Sequence, residues 1–369
     1  MAARATNPPP ANLPELVMTA FAKARADGEL HYFPTQVTLL SVGSVPFQLR
    51  FAPALANKPK GPPPPDNDND DPSRRQKPVD PFAHPAPSLF VTDLGPSHYL
   101  VLNKFAVVPG HFILATRDFK EQAHVLDESD LESTMSCIEA YERARTRARA
   151  RGNAEGEDDD DGLLFAFFNC GEHSGASQPH RHVQLLPVDG MRDGLEPGLE
   201  WSVLADGPGL DEAPFVVFSE AIRLGMPASE LHGIYLRLYR EACRAVEARG
   251  RSGNGSAAAA AAAVEEEEEE EDDDDDDGAP ADGPALISYN MALTRNKLVI
   301  CPRLAQGGPI YGEDGREVGT LALNGTLLAG TALVKNEEEW DALRKKPGAL
   351  VNVLKRIGLR REGIEDGGL

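Results

Sequence analysis

Between residues 175 and 184 the chain reads Gly-Ala-Ser-Gln-Pro-His-Arg-His-Val-Gln, so His180, His182 and Gln184 stand at alternate positions behind a small, polar, glycine-containing loop. Apolar runs at 163–168 and 183–186 predict buried strands on either side of that loop. Successive side chains of a strand point to opposite faces, so His180, His182 and Gln184 are expected to project together. Buried polar groups in such a row are costly unless they meet a ligand or one another. The loop offers backbone N–H groups suited to phosphate oxygens. An imidazole nitrogen is a good nucleophile near neutral pH. Its attack on phosphorus would form a phosphoramidate and expel the remaining phosphates. The spacing therefore predicts a phosphate-handling site with a histidine at its centre. Two plainer readings stay open: a strand-borne metal pair, with Glu172 and His173 as the only close further ligands, and a purely structural pair of buried histidines.

The elements that must position this run alternate in kind along the chain. A helix is predicted at 16–26, then strands at 36–42, 47–51, 88–94, 98–102 and 112–115, and a long amphipathic helix at 128–149. After the two strands around the histidine loop, a Gly- and Pro-containing stretch at 188–211 marks a boundary. The second half predicts a strand at 215–219, a helix at 230–249, strands at 285–294 and 297–302, and helices at 337–344 and 349–357. Strand runs with segregated helices argue for an α+β fold of antiparallel sheets with packed helices. Segments 99–109 and 289–302 look alike as strand–turn–strand units, which suggests two related halves. The expected organisation is an N-terminal domain at 1–190, a linker at 191–212 and a C-terminal domain at 213–362.

The formal net charge of −22 is concentrated rather than spread. Segments 66–71, 155–161 and 265–282 hold 24 acidic residues, and the rest of the chain carries +2. The surrounding stretches at 57–81, 151–162 and 250–284 read as disordered, solvated inserts. Acidity is thus no argument against a polyphosphate ligand. The four cysteines have no CxxC spacing, so neither a zinc knuckle nor a disulfide framework is expected. No apolar run approaches the roughly 20 residues of a membrane span, and the first 13 residues lack a signal-peptide core. A cytoplasmic protein is expected, with the nucleus as a second location, and with neither nucleic acid nor membrane as partner. The sequence does not set the oligomeric state; a monomer is compatible with it.

The run at 180–184 resembles the His-x-His-x-Gln signature of the nucleotidyltransferase branch of the histidine-triad superfamily. Within that branch the chain is most similar to the fungal diadenosine tetraphosphate phosphorylases, also called ATP adenylyltransferases. Residues 102–111, Leu-Asn-Lys-Phe-Ala-Val-Val-Pro-Gly-His, resemble that family's Leu-Asn-Lys-Phe-x-Val-x-Pro segment. Residues 168–171 and 174–177 resemble its phosphate loop. Residues 288–294, Ser-Tyr-Asn-Met-Ala-Leu-Thr, followed by 299–303, resemble its C-terminal Ser-Tyr-Asn-x-x-Leu-Thr…Pro-Arg element. A short Lys-Asn-Glu-Glu stretch at 335–338 is also similar. The likeness runs from about residue 10 to residue 360.

What the resemblance implies is phosphorolysis of diadenosine tetraphosphate to ADP and ATP, reversibly, through a covalent AMP adduct on His182. His180 and Gln184 complete the implied catalytic set. Histidine-triad hydrolases carry a third histidine where this chain has Gln184. Glutamine can donate a hydrogen bond but cannot exchange protons at neutral pH, which favours transfer over hydrolysis. Implied substrate contacts are Lys58, Asn103, Lys104, Asn169, Gly175, Ala176, Ser177, Gln178, Asn290, Met291, Ala292, Thr294, Arg295 and Arg303. Magnesium is expected to ride on the polyphosphate, with no dedicated protein metal site and no organic cofactor. The expected partners are nucleotides and phosphate. Pro179 at the loop exit and the basic turn at 295–297 depart from the family pattern. Hexose-1-phosphate uridylyltransferases resemble the same motif, and a non-catalytic dinucleotide-binding protein is the other alternative.

Overall fold

The computed structural model describes residues 8–57, 80–151, 162–252 and 279–361. Lys58 and nearly all of the three predicted acidic inserts lie outside the described residues. The elements run α1 (Leu13–Ala26), β1 (His31–Tyr32), β2 (Gln36–Val42), β3 (Val45–Phe51), β4 (Phe90–Leu94), β5 (His98–Leu102), β6 (Phe105–Ala106), β7 (Phe112–Thr116), α2 (Glu128–Ala150), β8 (Leu164–Cys170), β9 (His182–Pro187) and α3 (Val188–Arg192). They continue with β10 (Phe218–Ala221), α4 (Ala228–Ser252), β11 (Ser288–Leu293), β12 (Lys297–Arg303), β13 (Gly307–Tyr311), β14 (Glu317–Ala322), β15 (Thr331–Val334), α5 (Glu337–Lys345) and α6 (Gly348–Ile357). The fold is α+β, as the strand pattern predicts.

Its centre is an eight-stranded sheet of order β10-β12-β11-β8-β9-β7-β5-β4, antiparallel at every step. Every residue of β5, β7 and β8 is buried, because both faces of the sheet are covered. That is why these strands read as continuous apolar runs instead of alternating ones. The period-2 rule still operates inside the run. Leu164, Ala166 and Phe168 pack with Leu131 and Met135 of α2 and Tyr235 and Leu238 of α4. Phe165 and Phe167 face the opposite way, into a second core with Leu49, Leu327, Leu343 and Leu354. Helices α1, α2 and α4 therefore cover one face. The other face carries a small sheet of order β15-β3-β2, the β13–β14 hairpin and helices α5 and α6.

The central sheet runs without a break from the first half of the chain into the second, since β8 pairs with β11 in the register Phe167↔Ala292. The two segments that look alike in sequence are built differently. Residues 289–302 form the β11–β12 hairpin, whereas β5 is followed by β6, which pairs in parallel with β1. The strand expected at 215–219 begins later, at Phe218. Phe215 is instead fully buried and bridges to Arg360 near the C-terminal end of the described chain. The β13–β14 hairpin and β15 are absent from the sequence reading. All four cysteines are buried free thiols. Among the described residues no helix is long and apolar enough to cross a membrane.

Candidate active site

The site opens where two strands part. β8 and β9 pair from Leu164↔Pro187 to Phe167↔Gln184, and there the ladder ends. The side-chain amide of Gln122 fills the gap: it accepts from the His182 N–H at 2.8 Å and donates to the carbonyls of Asn169 at 2.8 Å and His182 at 3.2 Å. The loop across the opening contains Gly175 at φ +83°, where a Cβ would lie 2.8 Å from the Cβ of Asn324. Only glycine meets both demands.

His182 opens β9 and is buried. Its Nδ1 lies 2.7 Å from the carbonyl of His180. A carbonyl only accepts, so Nδ1 carries the hydrogen and Nε2 keeps the lone pair. Burial pushes its pKa down to about 4, against a raising effect of that same hydrogen bond. The ring is therefore neutral at pH 7. Phe82 packs on it with ring centroids 4.9 Å apart.

His180 behaves differently from the sequence expectation. It precedes the strand and forms an isolated bridge with Glu121 instead of continuing the β9 ladder. Its Nδ1 meets the Asp80 carboxylate at 2.7 Å, and its Nε2 meets the hydroxyl of Thr116 at 3.0 Å and the carbonyl of Thr116 at 2.9 Å. Both ring nitrogens are thus committed, which takes His180 out of a metal pair with His182. Burial alone would raise the Asp80 carboxyl, but hydrogen bonds from His180 and the Phe82 N–H hold it below the usual range. Arg181 points to the Asp130 carboxylate, 2.8 Å away in the first turn of α2, and Asp130 also meets His98 Nε2 at 2.8 Å. That buried ion pair fastens the histidine segment to the helix layer.

Gln184 lies half-buried on the wall of a cavity of about 350 Å³ between the central sheet and the small sheet. Its Oε1 is 2.6 Å from His111 Nε2. The same cavity is lined by Asn103, Phe105, Phe167, Gly175, Ser177, Asn324 and Thr326, with Lys335 and the buried Arg50 as its cations. Arg50 donates to Gln48, Thr35 and the carbonyls of Met191 and Asp193, and burial lowers its pKa to about 10.

Of the expected substrate contacts, Asn103, Gly175 and Ser177 line this cavity beside Gln184. Ala176 and Gln178 belong to the same loop, and the Ala176 N–H bonds Ser174 Oγ at 3.3 Å. Lys104 is exposed next to Phe105, its ammonium 6.0 Å from that ring. The remaining expected contacts among the described residues do not line the cavity. Asn169 Oδ1 accepts from Asn290 Nδ2 at 2.9 Å and from the Gly325 N–H at 2.8 Å. Asn290 also donates to the Ser174 carbonyl at 2.9 Å and accepts from Arg303. The Nη2 of Arg303 donates to the carbonyls of Ala305, Gln306 and Leu323, while its buried Nε finds no partner among the described residues. Met291 and Ala292 are fully buried core residues. Thr294 bonds Asp206 at 2.5 Å, and Arg295 pairs with Glu142 at 3.3 Å. These residues stabilise the loop that contains Ser174 and Gly175 and the β11–β12 turn from inside.

The site also uses residues that the sequence reading did not single out: His111, Gln122, Asp80, Phe82 and Asn324. His111 ends the 102–111 run and was legible as part of it. Gln122 and Asp80 sit in turn-rich stretches with no periodicity to mark them.

His182 itself is not among the residues that line the cavity; Gln184, two residues further along β9, and His111 are. A neutral histidine on the strand that supplies Gln184 to that wall has the chemistry for nucleophilic group transfer. The Ap4A phosphorylase N-terminal domain matches residues 3–144 and 158–200, and the ATP adenylyltransferase C-terminal domain matches residues 211–360. The chain belongs to the Ap4A phosphorylase family. It is 36% identical over 182 residues to Diadenosine 5',5'''-P1,P4-tetraphosphate phosphorylase 2 of Saccharomyces cerevisiae, an alignment covering 48% of this chain and 50% of that protein. This chain thus spans about half the length of that relative. Protein APA1 of the same yeast is 23% identical over 377 residues, 95% of each chain. The fold is that of yeast Ap4A phosphorylase Apa2, at TM-score 0.64 and 23% identity over 95% of this chain and 99% of that one. The same enzyme in complex with Ap4A superposes at TM-score 0.62 with 24% identity, over 95% of this chain and 99% of that one.

Proposed function

We propose that this chain, a nucleotidyltransferase by family, phosphorolyses diadenosine tetraphosphate to ADP and ATP through an adenylyl adduct on His182. One observation carries the assignment of the nucleophile: the His180 carbonyl holds the Nδ1 hydrogen of His182, so Nε2 presents its lone pair. In the first step Nε2 attacks the α-phosphorus. The N–P bond forms, the bond from that phosphorus to the bridging oxygen breaks, and ATP leaves. In the second step an oxygen of inorganic phosphate attacks the same phosphorus, the N–P bond breaks, and ADP leaves with His182 restored. Both steps are reversible.

Gln184 donates to a non-bridging oxygen without taking part in proton exchange, so water finds no acid–base partner at that position. Magnesium bound to the polyphosphate offsets its charge, together with Lys335 and Arg50 of the cavity wall. The proposed setting is the cytoplasm.

The test is incubation with diadenosine tetraphosphate and magnesium, with and without phosphate, resolving nucleotides by chromatography. Phosphate-dependent ADP plus ATP is the expected result. Phosphate-independent ATP plus AMP would make the chain a hydrolase. Products from UDP-glucose would move it to uridylyl transfer, and binding without turnover would leave only a dinucleotide-binding role.

A further inference from the structure

We propose that His111 and Asn103 are positioning residues, forming a hydrogen-bond relay that locks the Gln184 amide with its NH₂ group turned toward the transferring phosphoryl group. The inference rests on the reading of Gln184 as the donor of the transfer site. The relay starts at a backbone atom, the one donor whose identity admits no choice. The Phe105 N–H meets the Asn103 side chain at 2.9 Å, so the Asn103 atom it meets must be the oxygen, Oδ1. The Asn103 Nδ2 is then turned to His111, 3.2 Å from Nδ1 and 3.4 Å from Nε2.

An amide NH₂ only donates, so a neutral His111 must offer it an unprotonated nitrogen. The closer one is Nδ1. Burial keeps His111 neutral, pushing its pKa down to about 4. Its hydrogen therefore sits on Nε2, which lies 2.6 Å from Gln184. Because Nε2–H donates, the Gln184 atom facing it must be Oε1. The Gln184 Nε2 with its two hydrogens is left on the other side of the amide.

The relay gives the two histidines that flank this glutamine opposite tautomers: His182 is protonated on Nδ1 and His111 on Nε2. Without His111, either end of the Gln184 amide fits the half-buried wall. The flipped amide would aim an oxygen at the anionic phosphoryl group, which repels where the NH₂ attracts. The relay therefore acts on the transfer step and not on the cavity shape.

The experiment compares His111→Asn with His111→Gln, alone and in a Gln184→Ala background, by the kcat of phosphorolysis. Glutamine places an amide nitrogen near the position of the lost Nε2, and asparagine places one only near Nδ1. His111→Asn is expected to lower kcat about tenfold or more, by analogy with loss of a transition-state donor. His111→Gln should stay within about threefold of wild type. In the Gln184→Ala background His111→Asn should cost nothing further, because its effect passes through Gln184. Equal losses in the Asn and Gln variants, or additive losses in the double variant, would overturn the relay. The ¹⁵N spectrum of histidine-labelled wild-type protein decides the point without turnover. His111 protonated on Nε2 supports the relay, and His111 protonated on Nδ1 sinks it. A wild type inactive on diadenosine tetraphosphate would defeat the proposed function while leaving that spectrum to judge the relay.

Discussion

His182 donates its Nδ1 hydrogen to the carbonyl of His180, 2.7 Å away and two residues earlier in the chain. The tautomer of His182, the proposed nucleophile, is therefore set by a backbone atom, which substitution of the His180 side chain does not remove. The first expectation follows from that division of labour. His182→Asn should lower phosphorolysis by about 10³-fold or more, as removal of a nucleophile does. His180→Asn loses the anchors on Asp80 and Thr116 but keeps the carbonyl, and should cost about 10- to 100-fold less. Turnover assays on both variants, with circular dichroism to verify folding, compare them. Equal losses would mean that the His180 ring takes a direct part.

Gln184→His introduces a group able to exchange protons where the amide only donates. The ratio of AMP to ADP formed from diadenosine tetraphosphate should rise, because water gains a general base at the adenylyl adduct. Chromatography of products at fixed phosphate measures the ratio. An unchanged ratio would remove Gln184 from the choice between water and phosphate.

Burial lowers the pKa of both His111 and His182 from 6.5 to about 4. In the unfolded chain these rings take up protons as the pH falls through 6.5, while in the folded chain they stay neutral until about 4. The unfolded state thus binds more protons in that window, and stability falls as the pH drops from 6.5 toward 4. Each ring contributes up to about 3 kcal/mol across the window. Urea denaturation at intervals from pH 7 to pH 4 should show this slope. A His182→Asn variant should have a shallower one, and an identical slope would count against a buried, neutral His182.

Arg181 and Asp130 are both buried, with 2.8 Å between Nη1 and Oδ2. Arg181→Ala leaves that carboxylate with His98 and the Asp127 N–H as its remaining polar contacts of this cluster. Breaking a buried pair from one side costs about 3–5 kcal/mol. The variant should unfold at markedly lower denaturant, and Asp130→Asn with Arg181 intact should behave similarly. A loss under 1 kcal/mol, on the order of an exposed pair, would show that the cluster is not a fastening point.

Much of the fold is legible along the chain because periodicity reports which faces a segment buries. The continuous apolar run of β8 announces a strand covered on both sides, and the long pattern ahead of it announces α2 with its boundaries nearly right. The third strand of the small sheet was hidden for the converse reason. β15 has only four residues, and it pairs in parallel with β3 in the register Thr331↔Gln48, a partnership no local signal encodes. The expected contacts on β11 and β12 lie off the cavity wall. Asn290 and Arg303 have the chemistry of ligand-binding residues, yet they point into the protein and bond to the loop that the cavity uses.

By itself the sequence determined the strand that carries His182, the glycine-containing loop before it, the amide at the third position and the α+β class, since each follows from residue type and spacing over a few positions. Tertiary structure alone decided what those groups face. The Gln122 amide enters the gap between β8 and β9, Asp80 reaches His180, and His111 arrives opposite Gln184 from 73 residues away. Local patterns specify a face; the protonation and orientation of a polar group depend on the atom that meets it, and only the folded chain brings that atom into place.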